Sequence, residues 1–184
     1  MRWDDLISDL ETQAEALSRV EQDMEIAERT RAEIGQLRLV DRLRPAIGHL
    51  LQLRCLGAGA LQGRVDRLGS DWVLLVERPG REAVVALAAV VSITGLGALS
   101  ATPGSEGAVG ARLGLRYVLR GVARNRSAVQ LTLLDGVMLA GTLDRVGADF
   151  VELAEHPADA LRRPEAVLRV RTVPLTGVAV VRSR

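Results

Sequence analysis

Apolar residues between positions 3 and 34 recur with a heptad period, which is typical of a helix that pairs along a narrow seam. One register comprises Trp3, Leu10, Leu17 and Met24, and the other comprises Leu6, Val20, Ala27 and Ile34. Gln13 and Arg31 interrupt the pattern, and the first glycine is Gly35. We expect an amphipathic helix within residues 1–46. Its seam either pairs with a second copy as a coiled coil or packs against its own chain.

Beyond this helix the apolar runs are short and separated by turn residues, which predicts β-strands. The first group of strands is predicted at residues 51–56, 60–68, 72–77, 82–87 and 90–93. The second group is predicted at residues 129–134, 138–146, 150–154, 167–174 and 178–181. Between the groups lies a Gly-, Ala-, Ser- and Pro-rich linker. Gly69-Ser70 predicts a two-residue hairpin with a positive φ at the glycine.

The two groups of strands contain the same sequence motif. Residues 61–75 return as residues 139–153, an offset of 78, with the pattern L-x-G-x-[VL]-D-R-[LV]-G-x-D-[WF]-V-x-L. This repeat predicts two copies of one small module. Residues 111–123 fit either a strand or a helix, but they align with the helical region around residue 38. We therefore predict a helix there.

A short helix followed by five bent strands, with a glycine in the second, resembles the Sm-like family. The glycines that carry this resemblance are Gly63 and Gly141. It implies an α+β, mainly β protein with two tandem five-stranded barrels, each preceded by a helix. The predicted boundaries are a helical arm over residues 1–46, barrel one over 47–95, a linker over 96–111, and a helix plus barrel two over 112–184.

The chain departs from the RNA-binding members of that family at the positions that would bind the base. Those members have an aspartate after strand two, an asparagine in strand three, and basic or histidine residues in the second motif. The matching residues here are Gly69, Val73, Leu87 and Ala88 in the first copy, and Gly147, Val151, Leu175 and Thr176 in the second. The resemblance therefore does not imply RNA binding, but it does imply edge-to-edge association of the barrels.

The overall charge gives little attraction to nucleic acid. The 184 residues carry 24 basic and 23 acidic side chains, a net charge of +1, and every basic residue is arginine. The single cysteine, Cys55, lies in an apolar run and is predicted to be buried. No apolar run is long enough to span a membrane and no signal-peptide pattern begins the chain, so the cytoplasm is the predicted location.

The best local candidate for binding is a set of arginines with helical spacing and no acid nearby. These candidate nucleic-acid-binding residues are Arg112, Arg116, Arg120, Arg124 and Arg126, with a weaker set at Arg38, Arg42 and Arg44. Arginine binds phosphate groups through two parallel hydrogen bonds. The alternatives are a solvated helix face, or pairing with the acidic N-terminal helix.

Nothing in the sequence indicates an enzyme, a cofactor or a metal. The two histidines, His49 and His156, lie in different modules and are predicted to be on the surface. The repeated aspartate and arginine around residues 66 and 144 are interpreted as turn and cross-strand pairs, and Trp72 and Phe150 as core residues. We expect a non-enzymatic binding or assembly module that self-associates through barrel edges or its N-terminal helix. The alternative is a nucleic-acid-binding protein or regulator that uses the arginines.

Overall fold

The computed structural model describes residues 3–105, 113–157 and 167–183, and the chain divides into two compact units, Met1–Arg38 and Leu39–Arg184. Most of the first unit is a single helix, α1 (Trp3–Gln36), which confirms the predicted helix. Apolar side chains are exposed along it, including Leu17, Met24 and Ile34. None of the helices in the described ranges is both long and apolar enough to cross a membrane.

The second unit is built mainly of strands. It begins with α2 (Leu39–Leu43), followed by β1 (Leu50–Cys55), β2 (Gly59–Leu68), β3 (Trp72–Arg78), β4 (Arg81–Ala86) and β5 (Val90–Thr94). The second half comprises α3 (Leu115–Asn125), β6 (Ala128–Leu133), β7 (Met138–Val146), β8 (Phe150–Glu155), β9 (Arg169–Pro174) and β10 (Val178–Ser183). The ten predicted strands and the predicted helix after the linker are confirmed, with ends that differ by a few residues.

The strands form one open antiparallel sheet in the order β5-β1-β2-β3-β4-β10-β6-β7-β8-β9. The prediction of two separate five-stranded barrels, each preceded by a helix, is therefore wrong. β4 and β10 belong to different repeats but pair with each other, with Val85 opposite Val180. A strand edge exposes unpaired N–H and C=O groups, and the pairing of these two strands gives those groups partners.

The sequence repeat is also a repeat of strand order. The first half of the sheet runs β5-β1-β2-β3-β4, and the second half runs β10-β6-β7-β8-β9 with each strand in the equivalent place. A β-bulge occurs at the same point of both halves, between Val65 and Arg67 on β2 and between Leu143 and Arg145 on β7. Such bulges bend a strand. Each half can thus curve around the apolar side chains of its inner face.

One hydrophobic core runs through both halves of the sheet. Its equivalent members include Leu53 and Leu131, Val65 and Leu143, and Leu75 and Leu153, all of them buried. Along β1 and β2 buried and exposed residues alternate, as expected for strands with one face on a core. β10 differs, because its first four residues are all buried.

The repeated glycine of strands β2 and β7 is explained by close strand packing. A Cβ on Gly63 would lie 2.9 Å from the backbone oxygen of Val76, and one on Gly141 would collide with the backbone oxygen of Ala154. Any side chain at either position would force the neighbouring strand away. This part of the motif therefore serves the fold.

Candidate functional site

The contact between the two repeats, here called the junction, is the pairing of β4 with β10. Three residue pairs define its register: Ala83 with Arg182, Val84 with Val181, and Val85 with Val180. β10 also pairs with β6 on its other side, so it is an inner strand of the sheet. The junction is therefore made from one edge of each repeat.

A salt bridge crosses the junction. The Arg182 guanidinium on β10 donates two hydrogen bonds to the Glu77 carboxylate on β3, with N–O distances of 3.0 Å from Nη2 and 3.1 Å from Nε. Their side chains are only 11% and 15% exposed. The hydrogen bond from Arg182, the largest cause, and the nearby arginine charges hold the pKa of Glu77 below its usual value, whereas burial acts in the opposite direction. The pair thus joins the two repeats electrostatically.

The second repeat has a carboxylate at the same position, but both arginines that bind it lie within that repeat. Glu155 occupies the position of Glu77, and it is bound by Arg169 at 3.0 Å and by Arg171, both on β9. Burial raises the pKa of Glu155, but the hydrogen bonds and charges of the two arginines together outweigh that effect and lower it. Each carboxylate is therefore neutralised, the first across the junction and the second within its own repeat.

The two outer strands of the described sheet are β5 and β9. β5 is the repeat equivalent of β10, and β9 is the repeat equivalent of β4, as the repeated strand order requires. The two outer strands are therefore the repeat equivalents of the two strands that pair at the junction. Each outer strand also exposes an apolar side chain, Val91 on β5 at 58% and Val170 on β9 at 56%.

Four of the five predicted binding arginines lie in the described residues, on or just after α3. Arg116, Arg120 and Arg124 are exposed on the helix, and Arg126 ends it in a left-handed conformation with φ of 50°. Arg112 lies outside the described residues. Arg116 and Arg120 line an open cleft of about 440 Å³, together with Tyr117, Asp71 and Thr176. The structure thus brings two of the candidates to one cleft, whereas Arg124 and Arg126 are exposed but do not line it.

The beginning of α3 is held by the loop between β2 and β3. Asp71 accepts a hydrogen bond from the backbone N–H of Leu115 at 2.7 Å, which caps the helix from another part of the chain. The Trp72 indole donates to the Leu113 backbone oxygen at 2.7 Å. These contacts hold the N-terminal end of α3 against this loop and the start of β3.

Arg42, one of the weaker candidates, is committed to the fold. Its guanidinium donates to the backbone oxygens of Gly97, Ala98 and Leu99 and to the Ser100 hydroxyl, at 2.8–3.1 Å. It therefore holds the start of the linker against α2 and has little capacity left for a ligand.

Gly69 in the repeated turn has a different role from the one that the sequence predicts. Gly69 has no positive φ, so the predicted type of hairpin is wrong. A Cβ on Gly69 would collide with the indole of Trp72, and one on Gly147 would collide with the ring of Phe150. The glycine leaves room for an aromatic ring two residues beyond the turn. Trp72 is buried, as predicted, whereas Phe150, which was also predicted in the core, is only partly buried.

The two histidines behave differently from each other. His49 is exposed as predicted, but His156 is only 3% exposed, so its predicted surface position is wrong. Its Nε2 lies 2.9 Å from the Thr142 hydroxyl, and its Nδ1 lies 2.9 Å from the Pro157 backbone oxygen. The predicted burial of Cys55 is confirmed, and burial raises the pKa of its thiol to about 11.

The junction pair is the feature that sequence reasoning missed. Glu77 and Arg182 are far apart in the chain, and each is one of many charged residues. The available signal was the uninterrupted apolar run at the start of β10, which is typical of a strand covered on both faces and inside a sheet.

No protein-family model and no curated protein matches this chain. The resemblance to the Sm-like family therefore stays a prediction.

Proposed function

We propose that this protein is a non-enzymatic assembly module whose copies join head to tail through their outer strands. In this arrangement β9 of one copy pairs with β5 of the next. The observation that carries the proposal is the junction, because β4 and β10, the repeat equivalents of β9 and β5, already pair inside one chain. We also propose that the protein acts in the cytoplasm.

The register of the proposed contact follows from the junction and the repeat. Transferring the three junction pairs by the offset of 88 between the ends of the repeats places Ser92 opposite Val173, Ile93 opposite Thr172, and Thr94 opposite Arg171. At the junction a small residue, Ala83, faces an arginine. The proposed contact again places a small residue, Thr94, opposite an arginine, Arg171. Here the arginine lies on β9, the equivalent of β4, and the small residue lies on β5, the equivalent of β10.

The charges on β9 are partly compensated within their own repeat. Arginines on an edge strand commonly protect it from unwanted pairing. Here the guanidinium groups of Arg169 and Arg171 both bind Glu155 of the same repeat, so one of their two positive charges is compensated. An open row of copies joined in this way has one free edge at each end, so it either closes into a ring or continues as a filament.

Sedimentation velocity over a range of protein concentrations tests the proposal. We expect oligomers in the wild type, and about tenfold weaker association in Val91→Asp and in Val170→Asp, because each change buries a charge at one outer strand. The matched control is Val137→Asp, at an exposed valine outside the strands. A wild type that stays monomeric well above micromolar concentration would contradict the proposal.

A second candidate function is nucleic-acid binding, favoured by the cleft that Arg116 and Arg120 line beside the exposed Tyr117. Among the described residues that line this cleft, Asp71 is the only acid, and it accepts the hydrogen bond of the Leu115 N–H. Fluorescence anisotropy with labelled single-stranded RNA and duplex DNA at low and physiological salt tests it. We expect salt-sensitive binding that Arg116→Gln combined with Arg120→Gln removes, whereas Arg54→Gln on β1 leaves it unchanged. No binding at low salt would reject this candidate.

A further inference from the structure

A second arginine-lined cleft lies at the junction, separate from the arginines of α3. Arg78 at the end of β3, Arg81 at the start of β4 and Arg182 on β10 line an open space of about 410 Å³. Pro79 and Gly80 in the β3–β4 turn, Gln130 on β6 and Ser183 complete its wall. Because both repeats contribute residues, this cleft exists only when the junction is formed.

The cleft has an excess of positive charge. Within the part of the chain that the structure describes, the carboxylate that pairs with these arginines is Glu77, which Arg182 binds through two hydrogen bonds and which lies 3.0 Å from the Arg81 Nε. If the Arg182 and Glu77 charges cancel, the charges of Arg78 and Arg81 remain. Arg81 is 42% exposed at its side chain and Arg78 is exposed, so both can reach a ligand in the cleft.

The fold itself does not require this excess charge. The second repeat keeps the carboxylate and one arginine at equivalent positions, as Glu155 and Arg169. The position of Arg78, however, is taken by His156, whose ring is buried against Thr142. The additional cation is therefore specific to the first repeat, where the cleft is open.

We propose that this junction cleft binds the phosphate group of a small molecule. The three guanidinium groups and the Glu77 carboxylate leave two net positive charges, which match the two charges of a phosphate dianion. The planar guanidinium presents its N–H groups in the spacing of two phosphate oxygens, so arginine binds phosphate with two parallel hydrogen bonds. Ser183 and Gln130, which also line the cleft, add neutral hydrogen-bonding groups. A bound phosphate would hold the two repeats together and stabilise the junction.

Isothermal titration calorimetry with inorganic phosphate and with pyrophosphate tests this proposal, at constant ionic strength maintained with chloride. Acetate serves as a singly charged anion for comparison. The variants are Arg78→Gln and Arg81→Gln, each of which removes one charge and leaves Arg182 with Glu77. The control is Arg67→Gln, at an arginine whose side chain is 77% exposed on β2, away from the cleft.

We expect saturable binding of phosphate or pyrophosphate, weakened about tenfold in either variant and unchanged in Arg67→Gln. The same ligand should raise the unfolding temperature of the wild type but not of Arg78→Gln, because a ligand that binds only the folded state stabilises it. The absence of saturable binding, equal binding of acetate, or an equal loss in Arg67→Gln would each overturn the proposal. RNA that binds through α3 should be unaffected by Arg78→Gln, which separates the two clefts.

Discussion

Arg182 holds Glu77 across the junction, with Nη2 3.0 Å from the carboxylate and both side chains largely buried. The residues at the positions of Arg182 and Ala83 in the other repeat are Thr94 and Arg171. An arginine therefore stands beside each carboxylate, although it belongs to a different strand in each case. Because Glu155 already has its arginine, β9 can form a further pairing without leaving a buried charge unpaired.

Removal of Arg182 should destabilise the sheet through the charge it leaves behind. We expect Arg182→Gln to lower the free energy of unfolding by about 2–3 kcal/mol, because the Glu77 carboxylate would lose its main partner in a largely buried place. Urea unfolding measures the change. The control is Arg145→Gln, which breaks the pair with Glu152 at a side chain that is 78% exposed and should cost less than about 1 kcal/mol. Equal losses in the two variants would contradict this role of the junction pair.

The two carboxylates should make stability fall in acid. The pKa values of Glu77 and Glu155 in the folded protein lie below the ordinary value of 4.5. Their contribution to stability is therefore present above that pH and is lost as the pH falls through the folded-state pKa values. Urea unfolding between pH 7 and pH 3 should show a decline that begins below about pH 5.

Replacement of Glu155 should flatten this acid dependence. We expect Glu155→Gln to be less stable than the wild type at pH 7 by about 2 kcal/mol and to lose less on acidification. Glu82→Gln, at an exposed carboxylate on β4, serves as the control and should keep the slope of the wild type. If Glu155→Gln kept the full acid dependence, the pairing of Glu155 with Arg169 and Arg171 would not be the cause of that dependence.

The repeated strand glycine should tolerate no side chain. We expect Gly141→Ala to lower the free energy of unfolding by about 2 kcal/mol or more, because the backbone of Ala154 would have to move. Gly121→Ala on α3 is the matched control, since its Cβ would meet nothing within 4 Å. Alanine favours a helix over glycine by up to about 1 kcal/mol, so the control should be as stable as the wild type or more so. A neutral Gly141→Ala would refute the steric explanation of the motif.

Local patterns predicted the elements well, because each depends on residues close in the chain. Short apolar runs between turn residues located all ten strands of the described sheet, and the repeat alignment correctly placed α3 in an ambiguous segment. The joining of β4 to β10 could not be derived in this way. It depends on which of several free edges meet, and the two strands are separated by most of the second repeat.

The site residues were predictable only in part, for the same reason. The exposure of Arg116, Arg120 and Arg124 follows from their spacing on one helix. The burial of His156 does not, because it depends on Thr142 of another strand. Gly69 illustrates a further limit: turn statistics suggested a positive φ, whereas the glycine is needed to accommodate the ring of Trp72.

Disulfide cross-linking between two differently labelled variants tests head-to-tail assembly most directly. One variant carries Ile93→Cys on β5 and the other Thr172→Cys on β9, and the native Cys55 is buried. The account predicts a mixed disulfide between the two variants and much less linkage when Ser92→Cys replaces Ile93→Cys, because a slip of one residue turns the side chain to the other face. A monomeric mixture, or linkage that does not depend on register, would contradict it.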